Sequence, residues 1–168
     1  MDKQTVLCNT SPIIGLLSIG RLFLLKELFD EIILPEAVYK ELCEGSPAHQ
    51  QESNEIKEWV LKGYFKVYQV KNAEMVRSMY GKLHFGELEV IVATKELGLK
   101  LAIIDENAAR KMAAEFLVNT IGILGILLLS KRKGFINCVK PDVDKLRMNG
   151  YRISDELYYQ ILDKAGEN

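Results

Sequence analysis

Short apolar runs punctuated by small polar residues alternate along this chain with longer runs of helical period. "TVLC" at 5–8 is a brief apolar stretch suited to a strand buried on both faces. Ser11 followed by Pro12 predicts a helix start, since the hydroxyl can cap free amides and proline suits the first helical position. Gly20 separates "PIIGLLSI" from a second short helix, "LFLLKELF". "EIIL" at 31–34 reads as a strand, and Pro35 opens the helix "EAVYKELCE", which stops at Gly45. The polar, proline-containing "SPAHQQESN" at 46–54 predicts a loop or a loosely held helix start. A helix around Glu55 to Leu61 follows, and then "YFKVYQV" with strand-like alternation.

From "GELEVIVATKELG" onward the pattern becomes regular. A helix over 87–97 leads into the strand "LAII" at 101–104, then Asp105, then the helix "ENAARKMAAEFL". "VNTI" predicts a further short strand and "GILGILLLSKRK" a largely buried helix closed by Gly134. Amphipathic helices near 141–149 and 154–164 finish the chain. Alternating strands and helices predict an α/β fold with a mostly parallel sheet covered on both sides. No repeat, low-complexity stretch or linker interrupts it, so 1–168 is expected to be a single domain with the last two helices (about 141–164) packed on it.

Composition adds little except in its distribution. The net charge of -1 predicts neither a nucleic-acid partner nor an acidic-substrate partner. Acidic residues dominate from Glu27 to Glu58, whereas "SKRKG" at 130–134, Lys140, Lys145, Arg147 and Arg152 make the C-terminal third basic. That asymmetry suits a groove that tracks phosphates or, more simply, a solvated face. Cys8, Cys43 and Cys138 are far apart and each lies among apolar neighbours, which predicts buried reduced thiols in a cytoplasmic protein. "MDKQTVLC" lacks a signal-peptide core, and "ILGILLL" is too short to cross a membrane.

In an open parallel sheet, ligands collect outside the carboxyl ends of the strands. Asn9 follows "TVLC" and Asp105 follows "LAII", so both are expected on one rim. Each also has a plain structural reading, Asn9 as a turn residue and Asp105 as a helix cap. Glu41 shares a helix face with Val38 and Ala37, and a carboxylate beside an apolar stripe needs a compensating cation or access to water. Glu87 and Glu89 open the helix in "FGELEVIVATKELG", where acidic side chains complement the helix dipole. The apolar "LEVIVA" behind Glu87 predicts a deeply packed helix whose first turn faces the rim. Arg110 either neutralises this carboxylate cluster or pairs with Glu106. Converging carboxylates suit Mg²⁺ or Mn²⁺, hard cations that activate water and stabilise the leaving oxygen of a phosphodiester.

Three segments carry a family resemblance: "VLCNTSPIIGLLSIGRLFLLKELFDEIILPEAVYKEL", "GELEVIVATKELGLKLAIIDENAARKMA" and "GILGILLLSKRKGFI". Together they resemble PIN-domain proteins, and more narrowly the DUF3368 subgroup, over Val6 to Tyr158. The resemblance implies a three-layer α/β/α fold, an acidic pocket for Mg²⁺ or Mn²⁺, and cleavage of single-stranded RNA. It also implies homodimers and toxins paired with a small antitoxin protein. The family's first aspartate falls on Asn9, its second-helix glutamate on Glu41, its "GE" acid on Glu87 (Glu89 as substitute) and its later aspartate on Asp105. These four are the implied catalytic and metal-binding positions. Ser11, Arg110 and the basic pair Lys131 and Arg132 are the expected nucleic-acid contacts.

The departure at Asn9 removes one charge from the implied metal site and predicts weakened cleavage. Either the domain is a natural form kept for binding, or the asparagine was introduced or selected because the active protein harms its host. A binding module for RNA or protein is therefore the alternative to a ribonuclease. A small-molecule enzyme is disfavoured, since no G-x-G-x-x-G, G-x-x-x-x-G-K-[ST] or G-x-S-x-G stretch is present. His49 and His84 suggest no hydrolase triad.

Overall fold

A computed structural model describes residues 4–45 and 47–168; Ser46, where the predicted polar loop begins, and the first three residues of the expected leaderless start lie outside them. Five short strands form one parallel sheet in the order β3-β2-β1-β4-β5. They are β1 (Thr5–Cys8), β2 (Glu31–Pro35), β3 (Phe65–Tyr68), β4 (Leu101–Ile103) and β5 (Asn119–Ile121). β1 sits at the centre, with Val6 opposite Ile32 on one side and Cys8 opposite Ile103 on the other. Val6, Leu7 and Cys8 are fully buried, as a strand covered on both faces requires. The edge strands are more polar: β3 buries only Phe65, and β5 buries none of its three residues completely.

The helices fall into two packed groups flanking the sheet, the α/β/α arrangement that alternating elements predict. One group gathers on α6 (Phe85–Glu96), which touches β1, β2 and β4 as well as α3 (Glu36–Cys43) and α5 (Ala73–Met79). α4 (Gln50–Leu61) packs on α3 and β3. α6 is buried nearly all round, and this explains its long apolar run. The other group gathers on α8 (Ile123–Arg132), which touches α1 (Thr10–Ser18), α2 (Leu24–Leu28) and α10 (Asp155–Ala165). α7 (Asn107–Glu115) lies against β5 and α6. α9 (Lys140–Met148) is pinned to the chain between α1 and α2 by Arg21, whose Nε lies 3.0–3.1 Å from both oxygens of the buried Asp142.

Several expected details change. α4 begins at Gln50, after a 3₁₀ turn at Pro47–His49, so the segment read as a loop is mostly helical. α5 has no counterpart in the sequence reading; Asn72 caps it by accepting from the Met75 amide. α1 begins at Thr10, so Ser11 lies inside its first turn and does not cap it. Only Cys8 of the three thiols is buried; Cys43 is half-buried and Cys138 exposed, as its position after an irregular turn permits. Among the described residues no helix is long and apolar enough to cross a membrane.

Candidate active site

The rim begins where β1 and β4 end side by side. The Asn9 amide donates to the Ile103 carbonyl at 3.0 Å, continuing the ladder one residue beyond the strand. Asn9 then occupies the cap position of α1 in an extended conformation, and its side chain makes no capping bond. It is buried (3% exposed), as is Thr10 beside it. The Thr10 hydroxyl donates to Oε2 of Glu41 at 2.8 Å and so ties α1 to α3.

Gly86 closes this corner. A Cβ there would lie 3.3 Å from Glu41 Oε2 and 3.7 Å from Asn9 Oδ1, so glycine lets α6 approach both side chains. The next residue, Glu87, is 6% exposed and accepts the His84 amide at 3.1 Å. Burial pushes its carboxyl above the usual range, the His84 amide opposes this, and the charges of Glu106 and Glu41 raise it further. Two like charges, those of Glu106 and Glu41, therefore bear on Glu87.

Asp105 forms the other half. Its Oδ1 accepts the amide of Ile123 at 2.7 Å, and its Oδ2 accepts the hydroxyl of Tyr151. It caps α8 rather than the helix that follows it, whose cap position belongs to Glu106. Gly122 makes room, since a Cβ there would come within 2.5 Å of Asp105 Oδ1. Burial raises the Asp105 carboxyl above its ordinary value; Tyr151, the Ile123 amide and Arg110 hold it down, and Glu106 pushes it up. Burial and the nearby Asp105 charge drive the Cys8 thiol well above its usual range, so it stays protonated. Two pockets, of about 490 and 460 Å³, flank the Asp105–Tyr151 contact. Ser11 and Glu106 line the first, Arg110 and Lys164 the second, and Arg152 both.

A family model for DUF3368, described as a PIN domain, matches residues 5–167. The chain belongs to the DUF3368 family of PIN domains. No curated protein and no solved structure matches it.

In this PIN domain, Asn9 and Glu41 meet at Gly86 with Glu87 the next residue along α6, and the charge of Glu106 bears on both Glu87 and Asp105. Ser11 shares a pocket with Asp105. Arg110 donates to the Thr120 hydroxyl at 3.2 Å and bears on the Asp105 charge, so its side chain serves β5 and the rim and makes no ion pair with Glu106. Three other expected positions are elsewhere or otherwise engaged. Glu89 accepts the Ala37 amide at 2.9 Å, capping α3. Lys131 is tied to Glu167 and the Ala165 carbonyl, at the opposite end of α8 from Asp105. Arg132 is exposed beside it. Thr10, Glu106 and Tyr151 were not anticipated. Adjacency to Asn9 and Asp105 was the available signal for the first two; nothing in the sequence marks Tyr151.

The donor set bears on a divalent ion in two ways. Its atoms are all oxygens, which suits a hard cation. Yet among the described residues no three histidine, cysteine or acidic side chains are grouped to hold a metal ion. Asn9 and Glu41 present oxygens to one corner at Gly86, with Glu87 beside it. Each Asp105 oxygen already accepts a protein hydrogen bond, which leaves it fewer lone pairs to offer an ion.

Proposed function

We propose that this PIN domain, acting as one unit over its length, is a weakened divalent-metal-dependent ribonuclease that acts on single-stranded RNA. The observation that carries the reading is the approach of Asn9 and Glu41 to one corner at Gly86, next to the buried Glu87 and on the rim that also carries Asp105, where burial, with the charge of Glu106 adding to it, raises the Glu87 and Asp105 carboxyls. Such an arrangement favours a cation. Asn9, Glu41 and Glu87 are the residues to hold Mg²⁺ or Mn²⁺, by one amide and two carboxylate oxygens. A bound ion of this kind supplies an acidified water and charge neutralisation at a phosphodiester. Thr10 orients Glu41, the His84 amide orients Glu87, and Tyr151 with Ile123 fixes Asp105. Asn9 lowers the local negative charge by one and weakens both ion binding and cleavage.

Membership of the family supports a biological role as the toxin of a toxin–antitoxin pair, restrained by a small antitoxin protein and working as a homodimer in the cytoplasm. A catalytically silent RNA- or protein-binding module is the second reading, favoured by Asn9 and by the engagement of both Asp105 oxygens. Cleavage of a broad RNA panel by purified wild-type and Asn9→Asp protein, with Mn²⁺ and with a chelator, separates them. Metal-dependent cleavage increased by Asn9→Asp and abolished by Glu41→Ala supports the nuclease. No cleavage by Asn9→Asp, together with salt-sensitive RNA binding that ignores the chelator, would overturn it in favour of the module.

A further inference from the structure

An acidic rim repels a polyanion, so a strand that visits it needs a hold that does not rely on charge at the rim itself. Tyr80 and Phe85 provide one. Tyr80 ends α5 and Phe85 begins α6, and their rings stack with centroids 4.4 Å apart and planes 14° apart. Gly81 between them has φ +123°, a conformation that favours glycine and turns the chain back on itself. The rings remain 58% and 45% exposed, which is far from the burial that large aromatic side chains normally find.

Position and surroundings distinguish this pair from a stray apolar patch. Phe85 directly precedes Gly86 and Glu87, and Gly86 is the residue against which Asn9 and Glu41 close. Between Glu74 and Glu87 there is no acidic residue, whereas Arg77, Lys82 and His84 are all exposed. Among the described residues neither Arg77 nor Lys82 enters an ion pair. Flat aromatic faces set among uncommitted cations are the combination that holds single-stranded nucleic acid, bases on the rings and phosphates on the cations.

We propose that Tyr80 and Phe85 form a stacking platform for an unpaired nucleobase, with Arg77 and Lys82 neutralising the adjoining phosphates, beside the acidic rim. This deepens the single-strand RNA reading above and rests on it. The platform secures one nucleotide by stacking, and the next phosphodiester along the strand is carried toward Asn9, Glu41 and Glu87.

The test uses a short single-stranded RNA carrying one 2-aminopurine, bound in chelator so that nothing is cleaved, and an abasic strand of the same length. Wild-type protein is expected to quench the 2-aminopurine and to prefer the base-bearing strand. Tyr80→Leu and Phe85→Leu should abolish the quenching and weaken that binding roughly tenfold, leaving abasic-strand binding unchanged, while Phe85→Trp retains both. Both rings are exposed, so unchanged thermal melting is expected and checks that the variants fold. Equal binding by wild type and the leucine variants overturns the platform while RNA binding stands. Parallel loss on the abasic strand overturns it too, as does a change of oligomeric state in the variants, which makes the rings a subunit contact. Absence of any RNA binding by wild type, with Mn²⁺ as well as in chelator, overturns both proposals, whereas failure of Asn9→Asp to cleave overturns only the nuclease.

Discussion

The hydroxyl of Tyr151 donates to Oδ2 of Asp105 and so fastens the segment between α9 and α10 to the end of β4. Tyr151 also packs against α1, where a Cβ on Gly15 would come within 3.0 Å of its ring. Tyr151→Phe keeps the packing and deletes the bond. The Asp105 carboxyl is expected to rise further above its ordinary range, because the bond holds it down in the wild type. Stability at neutral pH should fall by about 1.5–3 kcal/mol, the worth of a hydrogen bond to a charged group. Chemical denaturation and a carboxyl-resolved NMR titration measure the two effects; a lower Asp105 pKa in the variant contradicts the account.

Glu87 gives a pH dependence of definite sign. Its folded-state pKa lies above the ordinary glutamate value of 4.5. The folded chain thus binds this proton more tightly than the unfolded one, and the contribution is fully present below 4.5 and lost as pH rises through the folded value. Glu87→Gln retains an oxygen for the His84 amide and removes the charge. In metal-free buffer the variant should be the more stable protein at neutral pH, with its advantage vanishing on acidification below that value. Denaturation midpoints across the range will show this. A variant less stable at neutral pH would mean that the His84 bond outweighs the repulsion.

Two glycines should respond differently to alanine. At Gly122 the new Cβ meets Asp105 Oδ1 at 2.5 Å, and Asp105 is a short side chain held by bonds at both oxygens. Gly122→Ala must displace it, and the expected loss is about 1–3 kcal/mol, the penalty for breaking a buried polar contact. At Gly86 the nearest atoms lie at 3.3 Å, one of them the end of the exposed Glu41 side chain. Gly86→Ala should change stability by less than about 1 kcal/mol, as alanine also favours the helix, yet move Glu41 away from Asn9. Melting curves of the two variants compared directly test this ordering.

Much of this arrangement was legible in the chain. "VLC", "IIL" and "LAII" are short and apolar, as strands covered on both sides are, and they end at the rim on which Asn9 and Asp105 lie. The apolar run after Glu87 marked α6 as the central helix. Less visible was what each polar side chain touches. The plain reading of Asp105 as a cap for the following helix misses its partner, since it caps α8 through a contact between distant segments. Glu89 has the same composition and helix as Glu87, and only the approach of α3 to one side of α6 separates them. Tyr151 reaches the site from the far end of the chain, and no local spacing encodes that. α5 was hidden because its seven residues bury only Val76.

Restoring a carboxylate at Asn9 offers a readout independent of cleavage. The position is buried and adjoins Glu41, so Asn9→Asp in chelator should lower the melting temperature by several degrees, consistent with about 1–2 kcal/mol for an added, partly compensated buried charge. Mn²⁺ should recover that loss in the variant and raise wild type much less. Equal responses of the two proteins to Mn²⁺ would argue against an ion held beside Asn9.

β1 lies at the middle of the sheet, yet its two neighbours come from very different stretches of chain. β2 is available soon after β1, whereas β4 is about ninety residues further on. During synthesis the second edge of β1, carrying the carbonyl and amide groups that will meet Leu101–Ile103, stays open until β4 itself has emerged. A growing chain consequently passes through a long interval in which this edge is exposed to other extended segments, and no fragment ending before Tyr151 can assemble the full rim.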